Sequence, residues 1–202
     1  MTRMYECGLI IGRFHTFTIG HEHLINTALL ACDRVLIFIG SAQLQGSERN
    51  PFNIATRLKM LNEIYGDNER VMIYALPDLT NEKDDKNINW GKYLLDNADT
   101  YLFKEPDCMI YGLSKEEGGR ATDWFDVDKL EKMNFILVPR GTVPISATEV
   151  RNLMVINNRR EWQKWVNPRL HKLYEELRSE LMTIPYYKEL EKNLLKESKT
   201  KE

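Results

Sequence analysis

The chain has 202 residues, 43% of them hydrophobic and 29% charged, which suffices for one sizeable core and is ordinary for a single globular domain. Its 28 Lys and Arg against 30 Asp and Glu leave a formal charge of −2, which argues against wrapping nucleic acid or lying on an anionic membrane and favours a small ligand. The three cysteines, Cys7, Cys32 and Cys108, show no Cys-x-x-Cys spacing, so neither a disulfide framework nor a zinc knuckle is expected; with no leader pattern and no apolar span, a reducing cytoplasm is the expected location.

The first apolar run, Cys7 to Gly12, predicts a strand. A helical pattern follows from His21 to Cys32, with Leu24, Ile25, Ala28, Leu29 and Cys32 on one face, and then a second strand, Arg34 to Gly40. A helix over Ile54 to Tyr65, with Ala55, Leu58, Leu61 and Ile64 together, leads into a third strand, Arg70 to Leu76. A helix over Trp90 to Ala98 leads into a fourth, Asp107 to Gly112, and the fifth is Asn134 to Pro139. This alternation predicts an α/β fold, a doubly wound parallel five-stranded sheet whose ligands lie beyond the carboxyl ends of its strands. The polar stretches 81–87 and 114–121 read as long loops after strand ends, where lids often sit. Beyond Ser146 helical patterns dominate, so residues 1–155 are expected to form the α/β domain and 156–202 a helical extension packed on it. In that extension Leu170, Leu173, Tyr174, Leu177 and Leu181 are at helical spacing behind Trp162 and Trp165, Pro185 interrupts the pattern, and Lys196 to Glu202 are expected to fray.

Two segments at strand ends carry chemistry. The first strand runs into Gly12-Arg13-Phe14 and then a helix opening with Thr18-Ile19-Gly20-His21. A helix N-terminus offers unpaired N–H groups and a positive dipole end, Gly20 permits close backbone approach, and Arg13 and His21 add donors, so a phosphate would be held there. Locally, a plain helix start capped by Thr18 with His21 exposed is an equally good reading. The second segment, Ile145-Ser146-Ala147-Thr148-Glu149-Val150-Arg151, follows the fifth strand. Ser146 and Glu149 form a capping box, and Thr148 and Arg151 stand on the same first turns. Two such helix starts at neighbouring strand ends can grip a polyphosphate from two sides.

Together and in this order, the two segments resemble the paired motifs of the nucleotidylyltransferase superfamily, and most closely those of nicotinamide mononucleotide adenylyltransferases of the archaeal and bacterial type. Gly12-Arg13-Phe14, the run Gly40-Ser41-Ala42 with Asn50-Pro51-Phe52 and Arg57, and Asp78 ahead of Asn89-Trp90 carry the closer match. The resemblance spans residues 7 to about 155 and implies a Rossmann-like fold. It implies that the 5′-phosphate of nicotinamide mononucleotide attacks the α-phosphorus of ATP in line and releases pyrophosphate, with no covalent intermediate. It assigns His21, Arg13 and Arg151 to catalysis, and Gly12, Arg13, Thr18, Gly20, His21, Gly112, Ser146, Thr148 and Arg151 to ATP. Phe14, Ser41, Asn50, Arg57, Asp78, Asn89 and Trp90 go to the acceptor nucleotide, Arg57 near its phosphate and Trp90 stacked on nicotinamide. The turn Tyr111 to Lys115 is implied to lie beside the adenine. Magnesium is implied as cofactor, held through substrate phosphates and without protein metal ligands. A homo-oligomer is compatible with this family. Two positions depart from its pattern: Thr18 stands where histidine is usual, and Thr16 where proline is common. Since phosphopantetheine adenylyltransferase also has threonine at the first of these, adenylyl or cytidylyl transfer to phosphopantetheine or another phosphate ester stays open. So does a nucleotide-sensing module without turnover.

Overall fold

Five short runs rich in β-branched and aromatic residues become the strands β1 (Tyr5–Gly12), β2 (Cys32–Ile39), β3 (Val71–Ala75), β4 (Cys108–Leu113) and β5 (Asn134–Pro139). In the computed structural model, which describes residues 3–79, 88–113, 122–139, 141 and 143–199, they form one parallel sheet in the order β3-β2-β1-β4-β5. The expected loops 81–87 and 114–121 lie outside the described residues.

Both faces of the central strands are buried, which is why these strands read as unbroken apolar runs rather than alternating ones. Ile10, Val35, Ile37 and Ile39 face one core with α1 (Ile19–Ala31), α2 (Ile54–Tyr65) and α5 (Ala147–Val155). Cys7, Leu9, Leu36 and Phe38 face the other with α3 (Ile88–Leu102), and Leu130 of α4 (Val127–Lys132) packs at its margin. The chain winds from β1 out to β3 and then crosses to β4 on the far side of β1, so the strand order reverses between β1 and β4. A crevice is expected beyond the carboxyl ends of that pair.

Several expectations are corrected. Cys32 opens β2 rather than closing the first helix, which passes into the strand without a loop. The inward face of α2 is Thr56, Arg57, Met60, Leu61 and Tyr65, with Ala55 exposed, because Arg57 turns inward and rotates the buried arc. The extension is helical, as expected, and is built of short pieces: α6 (Arg159–Trp162), two 3₁₀ turns (Gln163–Trp165 and Pro168–Leu173), α7 (Tyr174–Leu181) and α8 (Pro185–Lys199) follow one another. Pro185 begins α8, where its missing N–H costs nothing, and the helix extends to Lys199, while residues 200–202 of the segment expected to fray lie outside the described residues. Trp162, Leu170, Leu173, Tyr174, Leu177, Leu181 and Tyr187 of the extension are buried in the same core cluster as α1 and α2. All three cysteines are buried thiols, with the Cys32 and Cys108 sulfurs 3.5 Å apart.

Candidate nucleotide cleft

Beyond the carboxyl ends of β1, β4 and β5 lies a cleft of about 940 Å³. Gly12, Arg13, Thr18, Gly20, His21, Gly112, Ser146, Thr148 and Arg151, the whole set expected at ATP, line it together, as do Phe14, Tyr111, Pro139 and Val143. Ser114 and Lys115 lie outside the described residues.

One wall is the start of α1. Thr18 is its N-cap, with extended backbone. His21 Nδ1 accepts the Thr18 N–H at 3.1 Å and lies 3.1 Å from Thr18 Oγ1. With Nδ1 engaged as acceptor, the neutral ring carries its proton on Nε2. The ring packs edge-on against Phe14 at a centroid distance of 5.2 Å and tilted against Phe17 at 5.7 Å, which fixes its plane. Thr18 is therefore turned toward His21: it lines the cleft, but its hydroxyl serves the imidazole. A Cβ on Gly20 would meet only ordinary contacts, Thr18 Oγ1 at 3.5 Å and Val143 Cβ at 3.7 Å, so protein packing does not demand glycine there. What glycine provides is open space on the cleft side of the helix start.

The facing wall is the start of α5. Its capping box forms as the sequence predicts: Glu149 N–H donates to Ser146 Oγ at 3.2 Å, and Ser146 N–H to Glu149 Oε2 at 2.7 Å. These bonds to Ser146 hold the Glu149 carboxyl below its ordinary range. Arg151 is 8% exposed and donates through Nη2 to Thr148 Oγ1 at 3.0 Å and through Nε to Tyr187 Oη at 3.0 Å.

The floor is held by a polar network in which His15 and Arg13 line the cleft while Asn50 and Arg57 do not. His15 is 5% exposed, its Nδ1 accepting from Phe52 N–H at 3.3 Å and its Nε2 2.9 Å from Asn50 Oδ1, which also accepts from Arg13 Nη1 at 3.2 Å. Burial, then the charges of Arg57 and Arg13, lower the His15 pKa to about 3. Arg57 is wholly buried and donates to six backbone carbonyls, those of Arg13, Gly40, Ser41, Ala42, Leu44 and Asn53, at 2.9 to 3.4 Å. Burial, then the charge of Arg13, brings its pKa down to about 10. Phe14 (φ 52°) and Ser41 (φ 48°) adopt left-handed backbone, a conformation that costs a non-glycine residue on the order of 1–2 kcal/mol, at the strand ends this guanidinium ties down.

The residues expected at the acceptor divide accordingly. Phe14 lines the cleft, while Asn50 and Arg57 lie beneath it, so Arg57 is neither a solvated helix residue nor a cleft-lining donor. Ser41 and Asp78 meet at the ends of β2 and β3, with Ser41 Oγ donating to Asp78 Oδ1 at 3.0 Å. Trp90 is 6% exposed in the second core, tilted against Tyr93 and edge-on to Trp124, so the expected stacking face is packed in protein; Asn89 is exposed beside it. Sequence reasoning missed Arg49, which lines the cleft from the loop before α2, and Tyr186 and Tyr187, which line it from α8. Arg49 lies one residue before the Asn50-Pro51-Phe52 run and was within reach of the motif; the tyrosines carry no local signal.

A profile of the family described as cytidylyltransferase-like matches residues 9–153. The nicotinamide-nucleotide adenylyltransferase of Saccharolobus solfataricus is 34% identical over 76 residues, 36% of this chain and 44% of that protein, so this match spans less than half of the relative. The enzyme of the same name from Aeropyrum pernix is 27% identical over 173 residues, 84% of this chain and 90% of that protein. Among solved structures, a bifunctional NMN adenylyltransferase/ADP ribose pyrophosphatase from Francisella tularensis, complexed with AMP and a manganese ion, superposes with a TM-score of 0.66 at 22% identity, covering 98% of this chain and 55% of that one. The fold is shared along nearly the whole chain, the matched segment contains both walls of the cleft, and the chain belongs to the cytidylyltransferase-like family.

Proposed function

We propose that this chain is an adenylyltransferase that joins ATP and nicotinamide mononucleotide to give NAD and pyrophosphate. The observation that carries this reading is the opposition of two helix starts, α1 and α5, across one cleft, with His21, Arg13 and Arg151 between them. An oxygen of the acceptor's 5′-phosphate forms a bond to the α-phosphorus of ATP as the bond from that phosphorus to the bridging oxygen of pyrophosphate breaks. The His21 Nε2–H donates to a non-bridging α-phosphate oxygen as charge gathers there. Arg13 and Arg151 bind the triphosphate, and the N–H groups at the start of α5 add donors. Gly20 keeps the phosphate path open. No group on the protein forms a covalent intermediate; the cleft aligns the reactants and neutralises charge.

Magnesium, the cation we assign, is held through phosphate oxygens and water: among the described residues no three His, Cys, Asp or Glu side chains form a metal cluster, and the polar lining is rich in phosphate-binding donors. It offsets polyphosphate charge when bound. The relatives' names support nicotinamide mononucleotide as acceptor. Pyrophosphate release measured with ATP, magnesium and a panel of acceptors tests this directly. Turnover is expected with nicotinamide mononucleotide, and a preference for phosphopantetheine would refute the acceptor. His21→Ala should keep ATP binding and lose at least about 100-fold in kcat; unchanged kcat would remove His21 from the chemistry.

A further inference from the structure

The C-terminal extension reaches the cleft through Tyr186 and Tyr187. Tyr187, in the first turn of α8 and 2% exposed, accepts from Arg151 Nε at 3.0 Å and donates to the Glu48 carbonyl at 2.7 Å. Arg151 in turn donates to Thr148 Oγ1. A guanidinium on a long flexible stem needs two bonds from different directions to fix its plane, and here one comes from its own helix and the other from a segment 36 residues away. The same hydroxyl ties helix α5 to the loop that carries Arg49.

We propose that Tyr187 is a positioning residue for Arg151: its hydroxyl holds the guanidinium plane against Thr148 and joins the α5 wall to the Glu48–Arg49 loop, so that the triphosphate meets a preset donor. This role rests on the adenylyltransferase reading, but it is written into ATP binding rather than acceptor choice. The ring alone would satisfy packing; the hydroxyl is what the two walls share.

The test is a double-mutant cycle read by calorimetric titration with ATP, alongside steady-state kinetics. Tyr187→Phe keeps the ring and should raise the ATP dissociation constant and the KM for ATP about ten-fold, with the acceptor KM within about two-fold of wild type. In an Arg151→Ala background the same change should cost nothing further. Tyr174→Phe, which removes a hydroxyl bonded to Asn157 elsewhere in the extension, should leave ATP affinity unchanged. Wild-type ATP affinity in Tyr187→Phe, an equal loss in the Arg151→Ala background, or an equal loss in Tyr174→Phe would each overturn the proposal. If Tyr187→Phe shows no cooperative unfolding, Arg151→Lys decides: it keeps the charge but cannot make the Nε and Nη2 bonds together, so it should lose ATP affinity about as Arg151→Ala does, and wild-type affinity overturns the role. The titration needs no acceptor, so a chain that binds ATP and makes no NAD refutes the proposed reaction while leaving the role of Tyr187 in ATP binding standing or falling on the titration alone.

Discussion

His15 shows how one buried side chain makes the cleft floor sensitive to acid. Its pKa is lowered from 6.5 to about 3 by burial and by Arg57 and Arg13, so between these values the unfolded chain binds a proton that the folded chain refuses. Stability is therefore full above about pH 6.5 and falls as the pH drops toward 3, by at most about 1.4 kcal/mol per pH unit from this group. Urea unfolding across this window should show a shallower slope in His15→Gln than in wild type, and equal slopes would contradict a neutral buried ring. At this scale the sequence was informative where a motif fixed both residue and neighbours, as with His21, Gly20 and Ser146. It was uninformative at Arg57 and Trp90. Burying a guanidinium depends on carbonyls gathered from the segments just after β1 and β2 and from the N-cap of α2, and an indole in the first turn of a helix packs as readily in a core as on a ligand.

Among the elements, α2 is anchored from a distance. Asn53 is its N-cap, its Oδ1 accepting the Thr56 N–H at 2.9 Å, and Glu180 of α7 accepts from Asn53 N–H and Nδ2, both at 2.8 Å, and from Thr56 Oγ1 at 2.6 Å. Glu180→Ala should destabilise the protein by about 1–3 kcal/mol in urea unfolding by stranding these donors. A loss confined to a few tenths of a kcal/mol would mean that water replaces the carboxylate. All five strands and the first three helices were legible because hydrophobic period and punctuation agree along β1 to β4. Their ends were less so: α1 and β2 abut at Cys32, an apolar residue that continues the helical stripe and the strand equally well. The pieces of the extension were hidden because Trp162, Leu170 and Leu177 keep a helical spacing through turns that change to 3₁₀.

For the molecule as a whole, the extension shares one core with the sheet. Trp162, Tyr174 and Leu181 lie in the same buried cluster as Ile25, Met60 and Val150, so residues 1–155 alone would expose the packing faces of α1, α2 and α5. A chain ending at Val155 should lack a cooperative thermal transition, read by circular dichroism, whereas retention of one would make 1–155 an independent unit. The spatial join could not be read from the sequence, since nothing local tells Tyr187 that it will meet Arg151 or Glu180 that it will cap α2.

The buried Arg57 gives this architecture a particular temper. Among the described residues its hydrogen-bond partners are all backbone carbonyls and none is a carboxylate, so no hydrogen bond of the clamp is lost when a carboxylate takes up a proton. An ion-paired arginine would release its loops as the carboxylate took up a proton; this one keeps its hold through that range. The left-handed turns at Phe14 and Ser41 are thus fastened by a latch without an acid key, and acid must enter the floor of the cleft through the neighbouring imidazole instead.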